Sequence, residues 1–361
     1  MSVTIDIAGL PPERLLFAPS PLAELTAMLH VLAEPAHHPT LHGWAGSTAT
    51  ALAPEQADRL LEADFLWRSS RADFLLPAEP AATLTEELDA LDRLDDERYV
   101  TAALVTTCGS NRIGFRPGSP LEDPAAREHA RDLANARGPR QAAFADRLLT
   151  DPPAVRAIVR RLLEECAETF FVDAWARVQP ALVADARRKG DLLARHGLAD
   201  ALAAVSPAVG YDAEGGRIVI DKLQDNATSA VGSGITFLPT AFGRPHLVAV
   251  HAAGWRPVLQ YPVSETGLPH PVPLDRVQQR LEALAHPVRL RLARTLARGE
   301  HTTGELAAAW RLSEPEVSRH LTLLRKAELV TSRRRGRYVL YRLDLAASAR
   351  LGTDLLEAVL R

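Results

Sequence analysis

Apolar positions along this 361-residue chain change period twice. The opening segment Val3–Ile7 alternates apolar and polar residues and ends near Gly9 and Pro11, which predicts a short strand. Proline-rich turns follow at Pro19–Pro21 and Pro35–Pro39. From about Pro54 to Val205 the spacing is helical. Leu88, Leu91 and Leu94 recur at i, i+3 and i+6 within Thr85–Leu94. Asp151-Pro152 opens a helix predicted to run through Arg177, with Asp151 as N-cap and Val155, Val159, Leu162, Leu163 and Cys166 as its apolar stripe. Pro180 predicts a fresh start, carrying Leu182, Val183, Leu192 and Leu193. Gly109–Pro124 and Gly138-Pro139 read as loops.

Around Val209 the pattern becomes extended. Arg217–Asp221, Ile235–Leu238, His246–Val250 and Pro257–Tyr261 are short β-rich runs separated by glycine and proline, which predict a small antiparallel sheet. Thr266–Pro273 holds three prolines and no period, so the boundary is placed there. The expected class is α+β, with a largely helical domain over 1–273 and a second domain over 274–361.

The second domain is densely patterned. Val277, Leu281 and Leu284 mark one helix, stopped at His286-Pro287, and Val288–Ala297 marks another, ended by Gly299. Thr302 to Glu305 has capping-box spacing and starts a third helix, Glu305–Trp310. After a brief turn, Ser313 is placed to cap a fourth helix, with Glu316 reaching back to the cap and Pro315 tolerated in the first turn. That helix, 314–326, buries Val317, Leu321 and Leu324 and shows Ser318, Arg319, Thr322, Arg325 and Lys326. Two helices joined by a short turn, the second with a cationic outer face, form a helix-turn-helix whose second member can enter a DNA major groove. Leu329–Arg333 and Arg337–Leu343 read as strands joined by Arg334, Arg335 and Gly336, an arginine-tipped wing. Guanidinium groups suit phosphates and narrow minor grooves because they are rigid forks that keep their charge. A last helix from about Leu345 carries Leu351, Leu355, Leu356, Val359 and Leu360, too apolar for a free end.

Charge sharpens this division. Arginine outnumbers lysine 39 to 3, which a GC-rich genome explains without any ligand. The distribution is more informative: residues 275–361 hold 17 basic and 10 acidic side chains, and the remainder holds 25 and 35. A module of net +7 joined to a domain of net −10 is the asymmetry of nucleic-acid binders, hidden in an overall charge of −3. The chain is 47% hydrophobic without eighteen uninterrupted apolar residues, and its start lacks a basic segment leading into an apolar run. Cys108 and Cys166 have no CxxC spacing and read as buried thiols. A cytoplasmic protein without membrane partners is expected.

Leu284–Leu343 resembles the winged helix of ArsR-type transcriptional regulators in order and spacing: the His-Pro-x-Arg-Leu opening, Gly-Glu-Leu-Ala, Val-Ser-Arg-His-Leu, and a wing ending Tyr-x-Leu. The resemblance implies a homodimer paired through the first and last helices of the module, with the two recognition helices in successive major grooves of a pseudo-palindromic operator. DNA contacts are assigned to Ser313, Glu316, Ser318, Arg319, His320, Thr322, Arg325, Arg333, Arg334, Arg335 and Arg337. For His320, a semi-buried place at the edge of the apolar face is an equal alternative. Glu328 stands where the family has a glycine, so the recognition helix is expected to end differently. Glu314 and Glu316 replace uncharged residues; they disfavour phosphate but can accept from a cytosine amino group. Neither family type of metal site is present, since Glu305–Ala309 lacks cysteine and the last helix lacks histidine.

The first 270 residues resemble, through Trp175–Pro180 and Phe237–Val263, the long N-terminal domain of ArsR-like regulators from high-GC bacteria. His37, His38 and His42 lack acidic or cysteine partners at ligand spacing, so no metal is expected. Trp67, Trp175 and Trp255 read as core. No P-loop, zincin, nucleophile-elbow or dinucleotide motif occurs, and neither an enzymatic role nor a cofactor is expected. The reading is a one-component regulator, a repressor, whose N-terminal domain senses a small, largely apolar molecule. The alternatives are an enzyme of unfamiliar type with an appended DNA-binding module, a non-specific architectural binder, and a purely structural dimerisation clamp.

Overall fold

The computed structural model describes residues 2–109, 119–222, 226–252, 255–263, 272–335 and 338–360. Most of the loop expected over 109–124, most of the segment 266–273, and Arg337 lie outside these residues. The chain forms two compact units, Met1–Leu268 and Pro269–Arg361. Among the described residues no helix is long and apolar enough to cross a membrane.

The α+β class holds, but the sheet differs from expectation. In place of one antiparallel sheet the first unit has two four-stranded sheets of mixed direction. In one, Ser2–Asp6 lies between Arg217–Asp221 (antiparallel) and Asn226–Ser229 (parallel), with Val209–Asp212 at the edge. In the other, Leu15–Phe17, Ile235–Thr240 and Val258–Pro262 run parallel and Val248–Val250 closes the order antiparallel. The parallel partners come from the other end of the domain, which no local period can reveal. Every residue of Ile235–Thr240 is buried, as a parallel strand covered on both faces requires.

Helix Pro21–Ala33 packs on that strand and is buried from Pro21 to Val31, so it is a central helix with no solvent face. Ser20 caps it by accepting from the Ala23 amide at 3.0 Å. Two buried carboxylates serve backbone donors around it. Glu24 accepts from the amides of Ala241 (3.0 Å) and Phe242 (3.2 Å). Glu87 accepts from Leu22 N at 2.7 Å, Ala81 N at 3.1 Å and Ser20 Oγ at 2.9 Å. Burial nevertheless dominates and pushes both pKa values up to about 7. The folded chain therefore holds these protons more tightly than the unfolded chain. The resulting stability is fully present below the ordinary carboxyl value and is lost as pH rises through 7. Glu24→Gln, which keeps one oxygen for the two amides, should remove about 2 kcal/mol of the fall in stability between about pH 5 and about pH 7.5. Urea unfolding at the two pH values reads this, and an unaltered pH profile would refute it.

A long helical arm follows expectation up to Cys166 and then departs from it. Pro152–Cys166 passes through a π-helical stretch, Ala167–Phe171, into Val172–His196. Pro180 lies inside this last helix and does not restart it. An internal proline costs roughly 3 kcal/mol. Burial of Ala174, Leu182 and Ala186 on either side of it, with the helix packed on Leu15–Phe17 and Ile235–Thr240, offsets that cost. The same face buries Asp185, which pairs with Lys189 and accepts from Tyr261 Oη at 2.9 Å.

Of the tryptophans, Trp67 is buried, Trp175 stacks on Phe171, and Trp255 lies half-buried under the Arg98 guanidinium, 4.4 Å from its ring centre. Both cysteines are buried and free, and burial pushes Cys108 up to about 11 and Cys166 up to about 12.

Candidate nucleic-acid interface

The second unit closes around Leu292, Leu296, Leu306, Val317, Leu321, Leu324 and Leu329. Its helices are Leu274–Ala285, Pro287–Leu296, Thr303–Trp310, Glu314–Lys326 and Leu345–Leu360, with a hairpin of Val330–Arg335 and Tyr338–Leu343. The capping box forms as predicted: Thr302 Oγ1 accepts from Glu305 N at 3.2 Å, and Glu305 Oε2 accepts from Thr302 N at 2.7 Å. The helix-turn-helix corner is made by Arg311 in the left-handed conformation (φ 55°), which lets Leu312 N donate to Ala307 O at 3.0 Å. Ser313 Oγ then accepts from Glu316 N at 3.4 Å. The reciprocal bond from the Ser313 amide to Glu316 is not formed, so Ser313 caps alone.

Helix Glu314–Lys326 buries Val317, Leu321 and Leu324 and exposes Ser318, Arg319, Thr322, Arg325 and Lys326. Its outer face is polar, with Leu323 also exposed on the helix. Thr322 Oγ1 donates to Ser318 O at 2.9 Å, leaving the hydroxyl oxygen as an outward acceptor. His320 is half-buried with its ring 4.9 Å from that of His286. Burial first, then His286 and Arg289, lowers its pKa, and Nδ1 is buried without a partner. The geometry sets His320 at the edge of the apolar face, beside His286.

The helix ends with a left-handed residue despite the missing glycine, contrary to expectation. Glu328 has φ 57°; its amide donates to Arg325 O and the Leu329 amide to Leu324 O, both at 3.0 Å. These are the paired bonds of a Schellman ending. A non-glycine residue there costs roughly 1–2 kcal/mol. The Glu328 carboxylate lies 3.5 Å from Arg276 and 3.4 Å from Arg280, and Arg280 Nε donates to Ala327 O at 3.4 Å. Side chains of the first helix thus hold the turn in place of a glycine.

The wing also differs from its predicted form. Arg334 and Arg335 belong to the strand, paired with Val339 and Tyr338, and are not part of the connection between the strands. Arg333 and Arg335 share one face and Arg334 takes the other. Arg333 is engaged edge-on by Glu300, with Nε–Oε1 at 2.7 Å and Nη2–Oε2 at 2.5 Å, which holds the Glu300 carboxyl below its usual range. This pairing was not legible in the sequence, because Glu300 precedes the strand by a whole helix-turn-helix. His301 bridges to Tyr341 and ties the start of that motif to the wing.

The terminal helix is inverted. Its buried positions are Asp354 and Glu357, while Leu345, Leu356 and Val359 are exposed, as are Leu274 and Leu281 of the first helix. Asp354 accepts from Arg280 Nη1 at 2.8 Å and from Arg350 Nη2 at 3.2 Å. With Ala349 and Gly352, the exposed leucines and valine form one stripe at i, i+4, i+7, i+11 and i+14.

Two family descriptions match separate stretches of the chain. Residues 1–267 match the family described as "Family of unknown function (DUF5937)", and residues 286–332 match "Bacterial regulatory protein, arsR family". The biofilm growth-associated repressor of Agrobacterium fabrum is 41% identical over 101 residues, covering 25% of this chain and 86% of that protein. That of Xylella fastidiosa is 39% identical over 77 residues, covering 21% and 68%. A transcriptional repressor SmtB homolog of Synechocystis is 49% identical over 78 residues, covering 21% and 59%. The chain belongs to the DUF5937 family through its first 267 residues, and its C-terminal module is that of an arsR-family DNA-binding transcriptional repressor.

Proposed function

We propose that the protein is a dimeric, one-component repressor without enzymatic activity that reads a pseudo-palindromic operator with helix Glu314–Lys326. The observation that carries this is the outer face of that helix. Ser318, Arg319, Thr322 and Arg325 are solvent-exposed on a helix whose other face is locked into the core by Val317, Leu321 and Leu324. In this reading Arg319 reaches base edges from the first turns of the helix, with Ser313, Glu316 and Ser318 beside it. Arg325, Arg334, Arg335 and Arg337 lie along the phosphates. Arg333 is already neutralised by Glu300, and His320 supports its helix from the apolar edge, so these two contribute less than the sequence implied.

Arg319→Ala should weaken operator binding by about 1–3 kcal/mol and relax discrimination between operator and random DNA. Arg334→Ala with Arg335→Ala should weaken binding to all sequences and flatten the dependence on log salt by roughly one unit per lost phosphate contact. Fluorescence anisotropy across a salt series reads both. Equal losses on random and specific DNA for Arg319→Ala would make it a phosphate contact, and an unaltered slope would remove the wing from the interface.

The N-terminal unit, on this reading, is the effector domain. Two adjoining clefts of about 490 Å³ each share Asp73, Arg98 and Trp255, and one of them also has Arg71, Glu97 and His251 in its wall. Beside these groups the walls carry apolar side chains such as Phe74, Leu76, Val248 and Val250, so they suit a small, largely apolar effector that bears a few charged or hydrogen-bonding groups. To act as a switch the ligand must favour one dimer arrangement by a few kcal/mol.

A further inference from the structure

Four histidines that are scattered in the sequence converge in the N-terminal unit. His30 projects from the central helix Pro21–Ala33, His37 and His38 from the turns that follow it, and His246 from the segment before strand Val248–Val250. Ring centres of His30 lie 5.7 Å from His37, 5.0 Å from His38 and 4.7 Å from His246. His42, grouped with His37 and His38 by sequence proximity, is not part of the set of donors that converge.

Imidazole rings gathered this closely need a reason. They gain little from one another, and burial leaves polar atoms without partners: among the described residues His37 Nδ1 and His38 Nε2 have none. The set is oriented from behind. His30 Nδ1 lies 3.1 Å from the Trp67 carbonyl and His38 Nδ1 lies 2.5 Å from the Arg244 carbonyl. A carbonyl accepts only from an N–H, so in both rings Nδ1 carries the proton and Nε2 is left with a free lone pair. That is the arrangement by which outer-shell carbonyls fix a metal-binding tautomer.

We propose that His30, His37 and His246 bind a divalent transition-metal ion of the zinc type, with the His38 ring packed beside them. One donor atom from each of the three lies within 4.8 Å of the others. Ligands of a tetrahedral zinc ion with bonds of about 2.1 Å stand roughly 3.4 Å apart, so modest rotations of the partly exposed His37 and His246 close the site. An all-imidazole set selects zinc, nickel, cobalt or copper over magnesium and calcium, which take oxygen ligands. The nearby cation is Arg71, buried, whose guanidinium donates to the same Trp67 carbonyl that receives His30. It makes the site weaker for any cation; the Trp67 and Arg244 carbonyls, by taking the Nδ1 protons, leave lone pairs on the rings of His30 and His38, and these accept a metal where an anion would need donors. The inference concerns the DUF5937 region alone and does not depend on the operator reading.

The test uses the full chain, stripped with EDTA and titrated with Co²⁺. One equivalent should bind with the visible d–d absorption of a four- or five-coordinate nitrogen site, and Zn²⁺ should displace it. His37→Ala and His246→Ala, at partly exposed positions, should each weaken binding at least ~100-fold, the upper end of what loss of even an outer-shell partner does. His196→Ala, at an exposed position outside the cluster, should leave it unchanged. Circular dichroism of the metal-free variants checks that they fold. Absence of cobalt absorption, or unaltered binding in the His37→Ala/His246→Ala double variant, would overturn the proposal. So would binding of inorganic phosphate by the cluster in place of metal. Operator affinity measured with and without Zn²⁺ reports separately on the repressor, which should bind its operator even if the metal site is absent.

Discussion

Arg280→Ala should destabilise the C-terminal unit by about 3–5 kcal/mol, the penalty for breaking a buried ion pair from one side. Arg280 is 6% exposed and Asp354 is 1% exposed, and they meet at 2.8 Å. Removing the guanidinium leaves a carboxylate deep in the fold with only Arg350, at 3.2 Å, to balance it. The same side chain donates to Ala327 O and faces Glu328, so it also braces the left-handed ending of the recognition helix. Two consequences separate these roles. Arg280→Met combined with Asp354→Leu should recover most of the stability, because a buried pair replaced by apolar side chains of similar volume is often neutral or better. Operator affinity of that double variant should stay reduced, since the brace on Ala327 and Glu328 is still missing. Denaturant unfolding of the C-terminal transition reads the first effect and anisotropy the second. A single variant as stable as the parent would show that water reaches Asp354.

The winged helix was largely legible because its rules are local. Thr302 and Glu305 are three residues apart, and so are Ser313 and Glu316; the apolar positions of the recognition helix repeat within two turns. What escaped was long-range. Glu300 meets Arg333, and Arg280 meets both Glu328 and Asp354, across separations that no period encodes. The one available signal was an anomaly: two acidic residues, Asp354 and Glu357, within an apolar helix mark the side that turns inward, where Asp354 meets Arg280. The two mixed sheets failed for the same reason, since Ser2–Asp6 and Leu15–Phe17 find parallel partners at the far end of the domain. The histidines show the opposite error. Closeness in sequence grouped His42 with His37 and His38, while the fold brings in His30 and His246. Pro180 carried a strong local signal that tertiary burial overrode.

Leu356→Asp with Val359→Asp should convert the protein to a monomer and lower operator affinity at least ~100-fold, a loss of about 2.7 kcal/mol or more. Leu345, Leu356 and Val359 are 50%, 46% and 57% exposed along one stripe of the last helix, with Leu274 and Leu281 of the first helix at 50% and 40%. A helix that turns acidic residues inward and leucines outward has its apolar face in the wrong place for a monomer. On the proposed dimeric reading, a second copy related by a two-fold axis would resolve this, because each stripe would meet its own counterpart in a self-complementary surface. Each side chain covered in this way contributes on the order of 1 kcal/mol. A carboxylate forced into the same contact costs several more unless the pair separates. Neither substitution touches the Arg280–Asp354 pair, so the isolated fold should survive, as circular dichroism would show. On the proposed reading of a two-half-site operator, a monomer's recognition helix would reach one half-site and the second half would add nothing. Analytical ultracentrifugation and operator titration therefore change together. A double variant that stays dimeric and binds its operator as before would place the interface elsewhere. One that becomes monomeric while keeping full affinity would show that each copy reads its site alone.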